Sequence, residues 1–161
     1  SIQLDNPREV GADRVVNSVA GREKYGSPTV IVDFGTSTNF DVVSPDGAYV
    51  GGVIAPGLEI ATRALISGTA ALRRVEFVQP RSPIGRGTVE AIQSGALYGH
   101  AGLVDGILGR VVEELGGSPA VVATGGLAST IVPYCRNVEI VDEYLTLDGL
   151  RIIFDRNQED Q

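Results

Sequence analysis

The chain has 161 residues, 43% of them apolar, a formal net charge of −7 and a pI near 4.6. That length and apolar share suffice for one packed domain. The acidic balance and the absence of any basic run exclude nucleic acid and anionic membranes as main partners. A single cysteine, Cys135, rules out an internal disulfide and a multi-cysteine metal site, which fits a reducing cytoplasm. No apolar run reaches the roughly 18 residues of a membrane span, so a soluble protein is expected. Methionine is absent, even at position 1, which is expected of a processed or truncated chain.

In chain order, Asn6-Pro7 is a helix-start signal, and Val15, Val16, Val19 and Ala20 recur at helical spacing as far as Gly26. Strands are predicted over residues 29–34, 40–43 and 49–54, with Pro45-Asp46-Gly47 turning between the last two. A helix over 58–67 and an apolar stretch at 75–78 follow. A long helix is predicted over 88–115 despite Gly95, Gly99, Gly102, Gly106 and Gly109, each of which weakens it by about 1 kcal/mol. The glycines suit either close helix packing, within the chain or across a dimer, or a kinked and split helix. A strand at 120–124, a helix at 125–132, a strand at 138–141 and a last helix at 145–156 complete the pattern. Strands first, then alternating helices and strands, predict an α/β fold with a mixed sheet flanked by helices.

Several segments have the residue types of a phosphate or cation site. Strand 29–34 ends in Asp33-Phe34 and runs into Gly35-Thr36-Ser37-Thr38, where glycine permits close backbone approach, hydroxyls and amides donate, and the carboxylate suits a cation. An ordinary hairpin has the same letters. Ala123-Thr124-Gly125-Gly126-Leu127 is a second strand–glycine–helix junction that can present amides to a nucleotide, or merely turn tightly. Asp13 and Arg14 open the first helix, one turn before Asn17; they suit a proton acceptor beside an anion-binding cation, or a solvated first turn. Thr88 reads as a helix cap or a ligand contact, His100 as a packed or surface histidine, and Cys135 as a small buried apolar residue.

Taken together, Asn6-Pro7-x-x-Val10-Gly11-Ala12-Asp13-Arg14, Asp33-Phe34-Gly35-Thr36-Ser37-Thr38, Gly51-Gly52-x-Ile54-Ala55-Pro56-Gly57, Ile84-Gly85-x-x-Thr88 and Ala123-Thr124-Gly125-Gly126-Leu127 resemble the type III pantothenate kinases in content and order. Gln93-Ser94-Gly95, Gly102-Leu103-Val104-Asp105-Gly106 and Leu145-Thr146-Leu147-x-Gly149-Leu150 extend the resemblance nearly to the C-terminus. The resemblance implies an actin-like, sugar-kinase-like (ribonuclease H-like) fold and ATP-dependent phosphorylation of pantothenate, the first step toward coenzyme A. It implies Asp13 as catalytic base, Gly11, Ala12, Asp13, Arg14 and Thr88 as pantothenate-binding, and Thr88 as supplied by the neighbouring subunit of a homodimer. Gly35, Thr36, Gly125 and Gly126 would bind the nucleotide, and Asp33 a monovalent cation, potassium or ammonium. Members also carry an N-terminal domain with an Asp-x-Gly-Asn-Thr loop whose aspartate holds Mg²⁺-ATP. No such loop stands here, so residues 1–28 are expected to be the end of that domain and 29–161 the second domain. Residues 1–161 alone are expected to be inactive. The other readings are a non-catalytic regulatory relative and a sugar or acetate kinase of the same superfamily.

Overall fold

The computed structural model describes residues 1–68 and 74–159. Its strands are β1 (Thr29–Phe34), β2 (Ser37–Val43), β3 (Tyr49–Pro56), β4 (Ala120–Thr124) and β5 (Ile140–Val141). They form a five-stranded sheet in the order β3-β2-β1-β4-β5. β1, β2 and β3 are an antiparallel meander, while β4 and β5 run parallel to β1. The helices are α1 (Ala12–Tyr25), α2 (Leu58–Ser67), α3 (Thr88–Leu115), α4 (Ala128–Ile131) and α5 (Leu145–Glu159).

Alternation along the strands divides the side chains between two cores. Val30, Val32 and Phe34 of β1 meet Phe40, Leu58, Leu97, Val104, Leu108 and Ile131 on the face covered by α2, α3 and α4. Ile31 and Val43 meet Ala20, Val122 and Leu145 on the opposite face, covered by α1 and α5. β1 is therefore apolar at consecutive positions, as a central strand covered on both faces must be. The two outer helices on the second face approach closely through glycine. Gly149 of α5 lies against the Val16 carbonyl of α1, and Gly21 of α1 lies against Ile31.

Local deviations from the sequence expectations have identifiable causes. The helix does not start at Asn6: Pro7–Glu9 is a single 3₁₀ turn, with the Asn6 side chain accepting from the Arg8 amide at 3.3 Å. α1 begins only after Gly11, which is extended (φ −65°, ψ 144°). β2 starts at Ser37 because Phe34 already pairs with Thr38, so the connection is Gly35-Thr36 rather than four residues. α4 starts at Ala128 because Gly125 adopts φ +92° and the Leu127 amide turns back to the Phe34 carbonyl at 3.2 Å. β5 is shortened at its start because Asp105 of α3 takes the amides of Arg136 and Asn137 at 2.9 and 3.0 Å, holding that segment off the sheet. Residues 75–78 have no regular structure. α3 is one unbroken helix. Its glycines recur at alternating spacings of four and three, with Gly95, Gly99, Gly102 and Gly109 facing open space. Leu97, Ala101, Val104 and Leu108 fill the core-facing side.

Candidate functional site

β1 and β4 are parallel and adjacent, with Asp33 opposite Thr124 in register. The glycine turns that follow them, Gly35-Thr36 and Gly125-Gly126, therefore stand side by side beyond the carboxyl ends of the strands, where α/β sheets collect their ligands. α1 runs back along β1. Its Gly21 touches Ile31 and Thr29, whereas Asn17, one turn nearer the helix start, reaches Asp33. The first turn of α1, with Gly11, Ala12, Asp13 and Arg14, is thereby carried toward the same edge. Two segments far apart in the chain are brought together in this way.

The side chains there are interlinked. Asn17 Nδ2 donates to Asp33 Oδ2 at 3.1 Å, and the Thr146 hydroxyl of α5 donates to Asn17 Oδ1 at 2.7 Å, fixing the amide. Asp33 is half-buried. Burial raises its pKa, the Asn17 hydrogen bond works against this, and the charge of Asp13 adds to the rise. Asp13 is exposed, and it is close enough to be felt by Asp33 and Asp41. At Gly125 a Cβ would sit 2.5 Å from Asp33 Oδ1, so only glycine lets the second turn close over that carboxylate. In the first turn the Gly35 amide donates to the Ser37 carbonyl at 3.0 Å, and the Thr36 carbonyl accepts from the Gly57 amide at 3.2 Å. Both Gly35 and Thr36 remain exposed. In the second turn the Leu127 and Ala128 amides are committed to the Phe34 and Gly125 carbonyls. α4 spans four residues, too short to contribute a helix dipole, so Gly125 and Gly126 offer close approach and little more.

Asp41 was not singled out in the sequence. It lies on β2 opposite Ile31, two residues from Asn39, which is opposite Asp33, so all three polar groups share the α1 face of the sheet. Asp41 is fully buried, and burial pushes its pKa up to about 7 against the opposing pull of Arg14. Arg14 Nη2 donates to Asn39 Oδ1 at 3.4 Å, and Arg14 Nε stands 3.9 Å from Asp41 Oδ1. One signal was readable in the sequence: a carboxylate within the otherwise apolar run Phe40-Asp41-Val42-Val43. Thr88 lies elsewhere. It is exposed at the start of α3, beside an apolar groove of about 530 Å³ lined by Leu58, Ala61, Leu65 and Gly99. His100 is buried, its Nε2 2.9 Å from Thr38 Oγ1, and burial lowers its pKa, which makes it a neutral link between α3 and β2. Among the described residues no cluster of three or more His, Cys, Asp or Glu is placed to hold a metal, and no helix is long and apolar enough to cross a membrane.

The meander followed by two parallel strands, covered by helices on both faces, is the fold of the actin-like ATPases. Two solved structures share it. A Campylobacter jejuni protein described as a Baf family transcriptional activator matches with a TM-score of 0.64 at 18% identity over 99% of this chain and 70% of its own. The ADPNP-bound activator of 2-hydroxyisocaproyl-CoA dehydratase from Clostridium difficile matches with a TM-score of 0.51 at 17% identity, over 92% of this chain and 68% of its own. The family model described as type III pantothenate kinase matches residues 1–110. Relatives named type III pantothenate kinase are 56% identical over 97% of this chain in Acidothermus cellulolyticus, 55% over 98% in Geobacter sulfurreducens and 57% over 98% in Koribacter versatilis. The chain belongs to the type III pantothenate kinase family. It spans 61%, 62% and 57% of the length of those three relatives.

Proposed function

We propose that this chain supplies the pantothenate-binding half of an enzyme that transfers the γ-phosphoryl group of ATP to pantothenate, yielding 4'-phosphopantothenate. The observation that carries the reading is the delivery of Asp13 and Arg14, by the first turn of α1, to the strand edge that holds Asp33 and both glycine turns. Phosphoryl transfer asks a protein mainly for positioning and charge neutralisation. Asp13 accepts the proton of the pantothenate hydroxyl as its oxygen bonds to the γ-phosphorus and ADP departs. Arg14, with the Gly11 and Ala12 backbone, holds the substrate's carboxylate end. Gly35, Thr36, Gly125 and Gly126 line the nucleotide phosphates.

Asp33 fits a monovalent cation, potassium or ammonium. One carboxylate, with the Gly125 backbone close against one oxygen and Asn17 donating to the other, offers the modest negative charge that a singly charged ion needs. A bound cation there would offset charge near the phosphates. Mg²⁺ would accompany ATP. Thr88, set apart from Asp13 within one protomer, reaches pantothenate from the second subunit of a homodimer packed along the open glycine stripe of α3. Residues 1–28 then lead in from a preceding phosphate-loop domain, with α1 packed back onto the sheet of the second domain, residues 29–161, and the enzyme works in the cytoplasm.

The test is an assay of the intact protein with ATP, Mg²⁺, potassium and pantothenate. Asp13→Asn is expected to lower kcat by roughly 10²-fold or more, the usual share of a general base, while leaving thermal stability near the parent's. No pantothenate-dependent ADP release from the parent protein would favour the regulatory relative instead.

A further inference from the structure

Asp41 is costly where it stands. It is fully buried between Phe40 and Val42 on β2, yet only one of its carboxylate oxygens is served: Oδ1 accepts from the Tyr49 hydroxyl of β3 at 3.2 Å. Oδ2 is buried with no hydrogen-bond partner among the described residues. A buried carboxylate so incompletely paired weakens a fold, and apolar or neutral replacements at such positions are often tolerated or stabilising. Stability therefore gives no reason for the group. The cation facing it does. Arg14 Nε lies 3.9 Å from Asp41 Oδ1 and Arg14 Nη2 donates to Asn39 Oδ1 at 3.4 Å, so two residues of one β2 face line one edge of the guanidinium, Asn39 by a hydrogen bond and Asp41 by its charge. A guanidinium has five donors in a planar fork. Holding one edge still turns the remaining donors in a set direction, as bidentate recognition of a carboxylate requires.

We infer that Asp41 is the positioning residue for Arg14, with Asn39 beside it and Tyr49 behind it, so that the pair Asp41–Tyr49 sets the affinity for the carboxylate end of the substrate without touching it. The inference rests on the proposed reading of Arg14 as the pantothenate-binding cation. Every charged or titratable group placed to influence Asp41 then has a part: Arg14 from α1 is the group held, Tyr49 from β3 orients the carboxylate, and Asp33 and Asp13 keep the local field negative toward the cation.

The experiment uses the intact protein and compares parent, Asp41→Asn, Arg14→Ala and the double variant in steady-state kinetics against pantothenate and ATP. Assayed above about pH 7, where Asp41 is ionised, Asp41→Asn keeps the shape and an acceptor for Tyr49 but loses the charge. It is expected to raise KM for pantothenate about tenfold, with kcat and KM for ATP within about twofold and Tm equal to or above the parent's. Arg14→Ala with Asp41→Asn is expected to be no worse than Arg14→Ala alone, because the second change acts only through the first. An unchanged pantothenate KM in Asp41→Asn, or losses that multiply in the double variant, overturns the inference and leaves the functional reading standing. A parent that does not phosphorylate pantothenate overturns the functional reading and this inference with it. If Asp41→Asn does not fold, Tyr49→Phe decides. It deletes only the hydroxyl and is expected to raise the same KM about threefold, and no rise there overturns the inference.

Discussion

The most informative single residue is Asp41, because its environment predicts a measurable pH dependence. Burial is the main cause of its raised pKa, opposed by the charge of Arg14 and the Tyr49 hydrogen bond and reinforced by Asp33 and Asp13. The folded state binds this proton more tightly than the unfolded chain, whose Asp titrates near 3.8, whereas the folded value is about 7. Its contribution to stability is thus complete below about pH 4 and is lost as the pH rises through about 7. Asp33 is shifted in the same direction by the same cause. Thermal melts of Asp41→Asn across this window are expected to show a much flatter decline than those of the parent. A decline of equal slope would mean that Asp41 is ionised throughout. His100 shows the opposite case, since a lone imidazole buried against Phe34 and Thr38 is held neutral and brings no charge to the site.

At the scale of elements, two glycines set how closely neighbouring pieces approach. Gly125 combines φ +92° with a Cα pressed toward the Asp33 carboxylate and the Phe34 backbone. Gly125→Ala adds backbone strain of about 1–2 kcal/mol to a steric clash. It is expected to lower stability by at least about 2 kcal/mol in urea melts and to weaken nucleotide binding by equilibrium dialysis. Gly126→Ala meets open space and is expected to unfold at nearly the parent's urea concentration. Gly149 joins α5 to α1 at the Val16 carbonyl, closer than any Cβ could fit. Gly149→Ala is expected to cost about 1–3 kcal/mol by overpacking. Because α5 also supplies Thr146 to Asn17, that shift should reach Asp33, and cation-dependent activity should fall with it.

For the whole molecule, the long helix α3 presents its apolar side to the core and Gly95, Gly99, Gly102 and Gly109 to open space. A second copy packed along that stripe would place two helices within backbone contact and bring Thr88 of one protomer toward Asp13 of the other. Light scattering of the protein at micromolar concentration is expected to report a dimer. Gly102→Glu, which puts a charge in the middle of the stripe, is expected to give a monomer with an unchanged circular dichroism spectrum. A monomeric parent would contradict the homodimer and leave Thr88 without a route to the substrate.

Much of this architecture was legible in the chain because it is locally encoded. The consecutive apolar residues of β1 and the helical spacing of α2 and α3 depend on neighbours within a few residues, and α2, α3 and β4 lie where periodicity puts them. The turns were less legible: the Gly35-Thr36 hairpin is shorter than its small polar residues suggested, and α4 is cut back by the hydrogen bond from the Leu127 amide to the Phe34 carbonyl. Sequence alone supplied the apolar pattern, the glycine turns and the motif-bearing carboxylates Asp13 and Asp33. Only the tertiary structure brought α1 back along β1 so that Asn17 meets Asp33, laid the β4 turn beside the β1 turn, and buried Asp41 against Arg14. The physical reason is range: hydrophobic periodicity and turn chemistry act over a few residues, whereas the charge a carboxylate carries depends on solvent exclusion by segments distant in the chain.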